Sequence, residues 1–478
     1  MRRGFRFQIS DFRLFCRLAV GVFLIVLVGF SVNVSAQEPK ATPPEGGTPK
    51  PFKFPAQKNF TLKNGMEVTM VQYGSIPKVS FQAVIRAGTK DDAADKKDVS
   101  SLTGDMLKEG TKTLSAEDIA RQVAEMGGNL NVGVGTDSTN VSGQVLSEFD
   151  ARFVKLLADI IINPKFEAAD FERLRADELR NLAIQKTQAG SQASEKFRQV
   201  FFGEHPYGKV NPTESEAAAF SLEDVRKFYD ENYGAARTHL YIVGQFDESV
   251  VRKAIEEAFS KWKAGEKSTR NVPKVDVKYS LNVIDRPGAP QSTIYMGVPA
   301  PSPSDPDFIK FAVMNSLLGG SFGSRITSNI REDKGYTYSP GSFVWNRFKT
   351  AYWAENADVT TQFTGASIKE ILAEIDRLQK EPPSREELQG IKNYMVGIYT
   401  LQNSSRGGVI NQLENANYNE LGVDSINSYI DNVVAVTPKD VQEMARKYLQ
   451  KDRMTIVVVG DKSKITEQLK PYMAESGR

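Results

Sequence analysis

The segment HLYIVG at 239–244 returns as TIVVVG at 455–460, each a short apolar run closed by glycine. Runs of this length, rich in β-branched and aromatic residues, read as strands. What precedes each of them is also alike. Ahead of the first lie alternating strands at Met66–Tyr73 and Val79–Arg86, then helical stretches at Val99–Glu109 and Ala116–Met126. Ser115 with Asp118 makes a capping box for the second of these, and Gly127-Gly128 stops it. Strands at Asn129–Gly135 and Thr139–Leu146 follow, then helices near Arg152–Ile161, Glu167–Gln188 and Ser194–Phe202. Ahead of the second closing run the order repeats. Strands fall near Leu281–Asp285 and Thr293–Val298, helices at Asp307–Leu318 and Ser324–Asp333, and strands near Tyr336–Trp345 and Thr350–Glu355. More helices follow, and nowhere do strand and helix alternate regularly. The fold class is therefore α+β: two similar domains, each a mainly antiparallel sheet layered with helices.

The chain has 478 residues, with 61 Lys+Arg against 59 Asp+Glu and a net charge of +2. That balance lacks the basic footprint of a nucleic-acid binder. Cys16 is the one cysteine, and His205 and His239 are the two histidines, so Cys-based zinc sites, thiol catalysis and His-rich metal centres are excluded or hard to build. Arg2, Arg3, Arg6, Arg13 and Arg17 precede or open an apolar run, Leu18 to Val32, which ends in Val34-Ser35-Ala36. This reads as a signal peptide over 1–36, with a periplasmic mature chain; an uncleaved membrane anchor is the alternative. The remaining divisions are a Pro-rich linker at 37–57, a first domain at 58–263, a linker at 264–276 and a second domain at 277–478.

The run FTLKNGMEVTMVQ (60–72), with VSFQAVIRAGTKDD (79–92), MLKEGTKTLSAEDIARQVAEMGGNLN (106–131), HPYGK (205–209), YIVGQF (241–246) and GGSFGSRITSNIREDKGYTYS (319–339), resembles the pitrilysin and mitochondrial-processing-peptidase family of zinc peptidases, the inverzincins. The resemblance spans essentially the whole mature chain. In active members an H-x-x-E-H motif supplies two zinc ligands and a general base, and a downstream Glu is the third ligand. Aligned on Met106-Leu107 and Gly110-Thr111, the motif falls on Ser101-Leu102-Thr103-Gly104-Asp105, and the third ligand falls on Asn181. Ser101, Gly104, Asp105 and Asn181 are therefore degenerate ligand positions, and no metal or other cofactor is expected in this chain. Asp177 and Glu178 lie near Asn181 but read as a solvated helix face. His205, before Pro206-Tyr207-Gly208, reads as a turn residue, and His239 as part of a strand.

The resemblance also implies a role for Arg331 and Tyr338, seven residues apart as in the family's second domain, where such a pair reaches the substrate. Arg331 is expected in a last helical turn, Gly335 at a left-handed stop, and Tyr338 on the strand that follows. By spacing alone the pair reads rather as a helix-end cation and a half-buried strand residue, a reading that only the resemblance reverses, and Tyr336 shares the facing of Tyr338. Gly319, Gly320 and Gly323 lack the Lys-Ser/Thr of a phosphate loop and read as a helix-to-helix turn.

The family likeness implies a non-catalytic, substrate-binding subunit. An H-x-x-E-H-bearing homologous partner would supply zinc and base, and the pair would hydrolyse peptides or unfolded polypeptides. Edge-strand pairing would help to hold the peptide. A peptide-binding or structural scaffold without peptidase role is the alternative, and a self-sufficient peptidase with an unusual metal site is a third.

Overall fold

The computed structural model describes residues 53–473. The segment read as a signal peptide, with Cys16, and most of the Pro-rich stretch read as a linker lie outside the described residues. The first strand, β1 (Gln57–Thr61), opens a six-stranded sheet with β2 (Glu67–Gln72), β3 (Lys78–Ile85), β4 (Asn129–Val134), β5 (Thr139–Leu146) and β6 (Thr238–Gly244). The second sheet has five strands: β7 (Ser280–Asp285), β8 (Gln291–Pro299), β9 (Gly341–Arg347), β10 (Thr350–Thr360) and β11 (Thr455–Gly460).

Strand order makes the duplication explicit. The first sheet runs β1-β2-β6-β3-β5-β4 and the second β7-β11-β8-β10-β9, so β2, β6, β3, β5 and β4 correspond to β7, β11, β8, β10 and β9. Each sheet has one parallel pair, β2 with β6 and β7 with β11, and every other pair is antiparallel. The closing strand of each half returns after a long helical excursion, which is what a parallel pairing requires. β1 has no counterpart in the second sheet. Its five residues are all half-buried or exposed, so it carries no apolar alternation to announce it.

β11 is buried along all six residues and β6 along six of its seven. Strands covered on both faces carry continuous apolar runs, which explains the two segments that reveal the duplication. The covering layers are exchanged between halves. After the long helix α1 (Ala168–Thr187), helix α2 (Ala189–Phe202) leaves the first sheet and packs on β11 and β8 of the second. After the matching long helix α3 (Arg385–Gln402), helix α4 (Arg406–Tyr418) packs on β6 and β3 of the first.

The two seams differ in chemistry. Under α2, the Phe197 ring centre lies 4.8 Å from that of Tyr295 and 5.0 Å from that of Tyr352, and Phe202 meets Trp345 at 5.4 Å. Gly297 makes this approach possible, since a Cβ there would stand 2.8 Å from Phe197 Cζ. Each buried aromatic of this kind contributes about 1.5–3 kcal/mol. Under α4, Val409, Ile410, Leu413 and Ala416 share an apolar cluster with Val71, Val84, Tyr241 and Val243, and polar contacts are added: Gln82 donates to Glu414 at 2.6 Å, Arg86 to Asn417 at 3.3 Å, and, just before the helix, Tyr73 to the Asn403 carbonyl at 2.8 Å. Between the β4–β5 and β9–β10 hairpins, the buried carboxylate of Asp137 pairs with Arg347 at 3.0 Å and accepts from Tyr207 at 2.7 Å.

Candidate functional site

The helix Val99–Met106 carries the degenerate positions, and its start is built by carboxylates. Asp92 accepts from the backbone N–H of Asp98 at 2.7 Å and of Ser100 at 2.9 Å, satisfying donors that a helix leaves open. Burial pushes the Asp92 carboxyl up to about 7, against the pull of these donors and of Lys97. Asp98 adopts a left-handed backbone at φ 76° and accepts from Ser101 Oγ at 2.5 Å. Ser101 is thereby committed within its own helix.

Gly104 stands where the general base would be, and it faces strand β4. A Cβ there would lie 2.3 Å from Val134 Cγ2, so a carboxylate side chain has no room without moving that valine. Asp105 turns outward to Lys108 at 2.8 Å, and Asn181 is exposed on α1. Among the described residues no three His, Cys, Asp or Glu side chains converge in a way that could hold a metal ion. A hydroxyl, a filled glycine, an ion-paired carboxylate and an exposed amide do not fit zinc.

One expectation here needs correction. Asp177 is a surface residue, paired with Arg173 at 3.7 Å and with Arg180. Glu178 is not part of that solvated face. Burial, with Asp98 and Asp105 close by, raises its carboxyl to about 7. Consecutive helical residues point about 100° apart, so neighbours in sequence meet different surroundings.

Both histidines have local partners. His205 lies between the Tyr207 N–H, 3.2 Å from Nδ1, and the Asn271 carbonyl, 3.1 Å from Nε2. His239 stacks on Tyr241 at 4.1 Å, with Thr69 Oγ1 2.8 Å from Nε2 and Glu67 3.0 Å from Nδ1.

In the second half the helix Phe308–Asn315 widens into a π-helical turn at Ser316–Gly320, and a second such turn spans Ser328–Asp333. Wide turns of this kind recur at functional sites. Two glycines of the first turn, Gly319 and Gly320, serve close approach. At Gly319 a Cβ would stand 2.5 Å from Ser342 Oγ and 2.7 Å from Glu355 Oε2. Arg325 anchors the segment through two parallel bonds to Glu387, at 2.7 and 2.8 Å, and that cation holds the Glu387 carboxyl below its ordinary range.

Arg331 ends the second π-helical turn, and Gly335 follows at φ 65° as the left-handed stop. The structure brings Arg331 and Tyr338 together: the guanidinium carbon lies 4.8 Å from the centre of the tyrosine ring. Tyr338 is not on a strand, however. Pro340 has no N–H to give a ladder, so β9 begins at Gly341 and Tyr338 sits in the loop before it, 78% exposed. Tyr336 is distinguished from it by packing, because its ring stacks on Phe363 at 4.4 Å.

A third residue joins this pair. Phe322, 71% exposed, covers the Arg331 guanidinium at 4.4 Å, so the cation lies against two aromatic rings. Sequence reading passed over it because an aromatic between glycines carries no periodic signal. Arg331 also has Glu332 at 3.1 Å from Nε. The result is a half-buried arginine oriented by two exposed rings, one of them a phenol, able to donate hydrogen bonds to a carbonyl or oxyanion.

The chain matches two models of one peptidase family: "Insulinase (Peptidase family M16)" over residues 68–209 and "Peptidase M16 inactive domain" over 219–395. It is 26% identical over 293 residues to an "Uncharacterized zinc protease" of Rickettsia felis, covering 60% of this chain and 70% of that one. It is 22% identical over 403 residues to the "Uncharacterized zinc protease YmxG" of Bacillus subtilis, covering 83% and 96%. A protease from Helicobacter pylori shares the fold with a TM-score of 0.80 at 17% identity, over 85% of this chain and 100% of that one. A peptidase M16 inactive domain from Pseudomonas fluorescens does so with a TM-score of 0.79 at 23% identity, over 84% and 98%. The duplicated sheets and these matches define an M16-type, peptidase-like protein. The chain belongs to peptidase family M16, the pitrilysin family.

Proposed function

We propose that this chain is a non-catalytic, substrate-binding subunit of a heteromeric M16 zinc peptidase, exported to the periplasm and paired with an H-x-x-E-H-bearing homologue. The observation that carries this reading is a contrast. The general-base position is a glycine packed under Val134, whereas Arg331, itself half-buried, is held between the exposed rings of Phe322 and Tyr338. The partner would bring the zinc and the base. This chain's residues would bind and orient the peptide: Arg331 and the Tyr338 hydroxyl donate to the substrate carbonyl, and more strongly to the charge that develops there as water adds. One donor of this kind is worth about 10²–10³ in rate. Peptide substrates would be held in part by strand pairing at a sheet edge.

A scaffold with no peptidase role is the competing reading. The Arg331 cluster weighs against it, because a scaffold gains nothing from keeping the two large rings of Phe322 and Tyr338 in solvent over a cation.

The test is cleavage of a quenched fluorescent peptide by the mature chain alone and mixed with an H-x-x-E-H homologue from the same organism, with zinc measured on both. Activity confined to the mixture, with zinc in the partner only, is the expected result. In the mixture, Arg331→Ala is expected to lower kcat/KM about 10²–10³-fold and Tyr338→Phe by less, with assembly unchanged by gel filtration. Inactivity in every arrangement would favour the scaffold.

A further inference from the structure

The polar end of the seam under α4 encloses a cavity of about 210 Å³ whose wall gathers cations from three parts of the chain. Arg86 follows β3, Arg237 precedes β6, and Lys267 comes from the irregular segment between the halves; Asn417 and Tyr418 of α4 close the opposite side. None of these three cations has an ion-pair partner among the described residues. Arg86 donates to Asn417 Oδ1 at 3.3 Å and lies 4.9 Å from the Tyr418 ring centre. Arg237 gives Nε to the Glu266 carbonyl at 3.0 Å and Nη1 to Asn232, leaving Nη2 free among the described residues.

Most of the other charged groups of the wall have partners of their own. Lys90 pairs with Asp91 at 2.7 Å, and Arg270 with Glu420 at 2.9 Å. Asp137 is bound to Arg347, and Glu67 lies 3.0 Å from His239. The His239 hydrogen bond, helped by the charges of Arg86 and Lys267, holds the Glu67 carboxyl below its ordinary range, against the effect of burial. The cavity thus sets five cations, Arg86, Lys90, Arg237, Lys267 and Arg270, against Glu67 and Asp137, with N–H donors converging from separate elements, the arrangement that attracts and orients an oxyanion. Its volume is that of about seven waters at roughly 30 Å³ each, which suits a small ion and its hydration.

We propose that this cavity binds a small multivalent oxyanion, of the phosphate or polycarboxylate kind, through Arg86, Arg237 and Lys267. Because the wall draws on both halves and on the segment between them, the anion bridges the polar end of the seam that α4 closes. Binding to the folded chain alone raises its melting temperature with ligand concentration.

The experiment is titration calorimetry and thermal melting of the mature chain with inorganic pyrophosphate and, separately, citrate, in phosphate-free buffer with ionic strength held constant by sodium chloride. Saturable binding near one per chain and a rising melting temperature are expected from at least one of the two, and their relative affinities identify the preferred anion. Lys267→Glu, at an exposed position whose change spares the core, should weaken binding at least about tenfold. Arg86→Gln should do the same wherever its melt matches wild type. Absence of saturable binding to either anion at about 10 mM, where a millimolar Kd would be nearly saturated, would overturn the proposal. So would binding that Lys267→Glu leaves unchanged.

Discussion

Gly104 shows how one position can separate a lost site from a merely unfilled one. Writing the motif back as Ser101→His, Gly104→Glu and Asp105→His places a glutamate where Val134 Cγ2 now sits. Forcing extra atoms into a filled space costs about 1–3 kcal/mol. The triple variant is expected to melt below wild type, and adding Val134→Ala is expected to recover part of the loss; differential scanning calorimetry of the two variants checks this. Glu178 gives a second prediction. Its carboxyl titrates at about 7 in the fold and near 4.5 unfolded, so the folded chain keeps a proton that the unfolded chain releases. Wild-type stability from this group is therefore present below about 4.5 and is lost as pH rises through 7. Glu178→Gln should raise the melting temperature at pH 8 and leave it nearly unchanged at pH 4, as read from melts across that range. The degenerate positions were legible in the sequence because they are identities at fixed spacing. The surroundings of Glu178 and Phe322 were not, because Asp98 and Arg331 reach them only through tertiary contact.

At the scale of elements, the seam under α2 rests on Gly297. An alanine Cβ would stand 2.4 Å from the Trp353 carbonyl oxygen and 2.8 Å from Phe197 Cζ, and the backbone atom cannot yield as a side chain can. Gly297→Ala is expected to cost about 1–3 kcal/mol, measured as a lowered urea midpoint with an unchanged slope. Most strands and helices were readable from alternation and caps; the capping box of Ser115 with Asp118 stands as expected. The misses have physical causes. β1 pairs through its backbone with β2 while showing no apolar face, and Tyr338 fell outside β9 because Pro340 breaks the ladder. The π-helical turns were read as ordinary helix, since an apolar period of about 3.6 persists across one widened turn.

For the whole molecule, the joint between hairpins depends on Asp137. Removing its carboxylate leaves Arg347, itself partly exposed, without its ion-pair partner, and takes from the Tyr207 hydroxyl the carboxylate that accepts from it. Asp137→Ala should destabilise the fold by about 3 kcal/mol, the low end for a broken buried pair, in equilibrium urea unfolding. Duplication was legible from the two closing strands. The exchange of α2 and α4 was not, because an amphipathic helix states which face it buries and not which sheet it covers. That exchange has a consequence in time. A chain emerging from its N-terminus completes the first sheet at Gly244, yet the helix that covers it, Arg406–Tyr418, arrives roughly 160 residues later, on the order of 10–30 s at about 5–20 residues per second. Meanwhile Phe197, Phe201 and Phe202 on α2 wait for a sheet not yet made. The nascent first half therefore carries an uncovered aromatic helix that invites a chaperone, and neither half can be cut away and expected to fold as a free-standing unit.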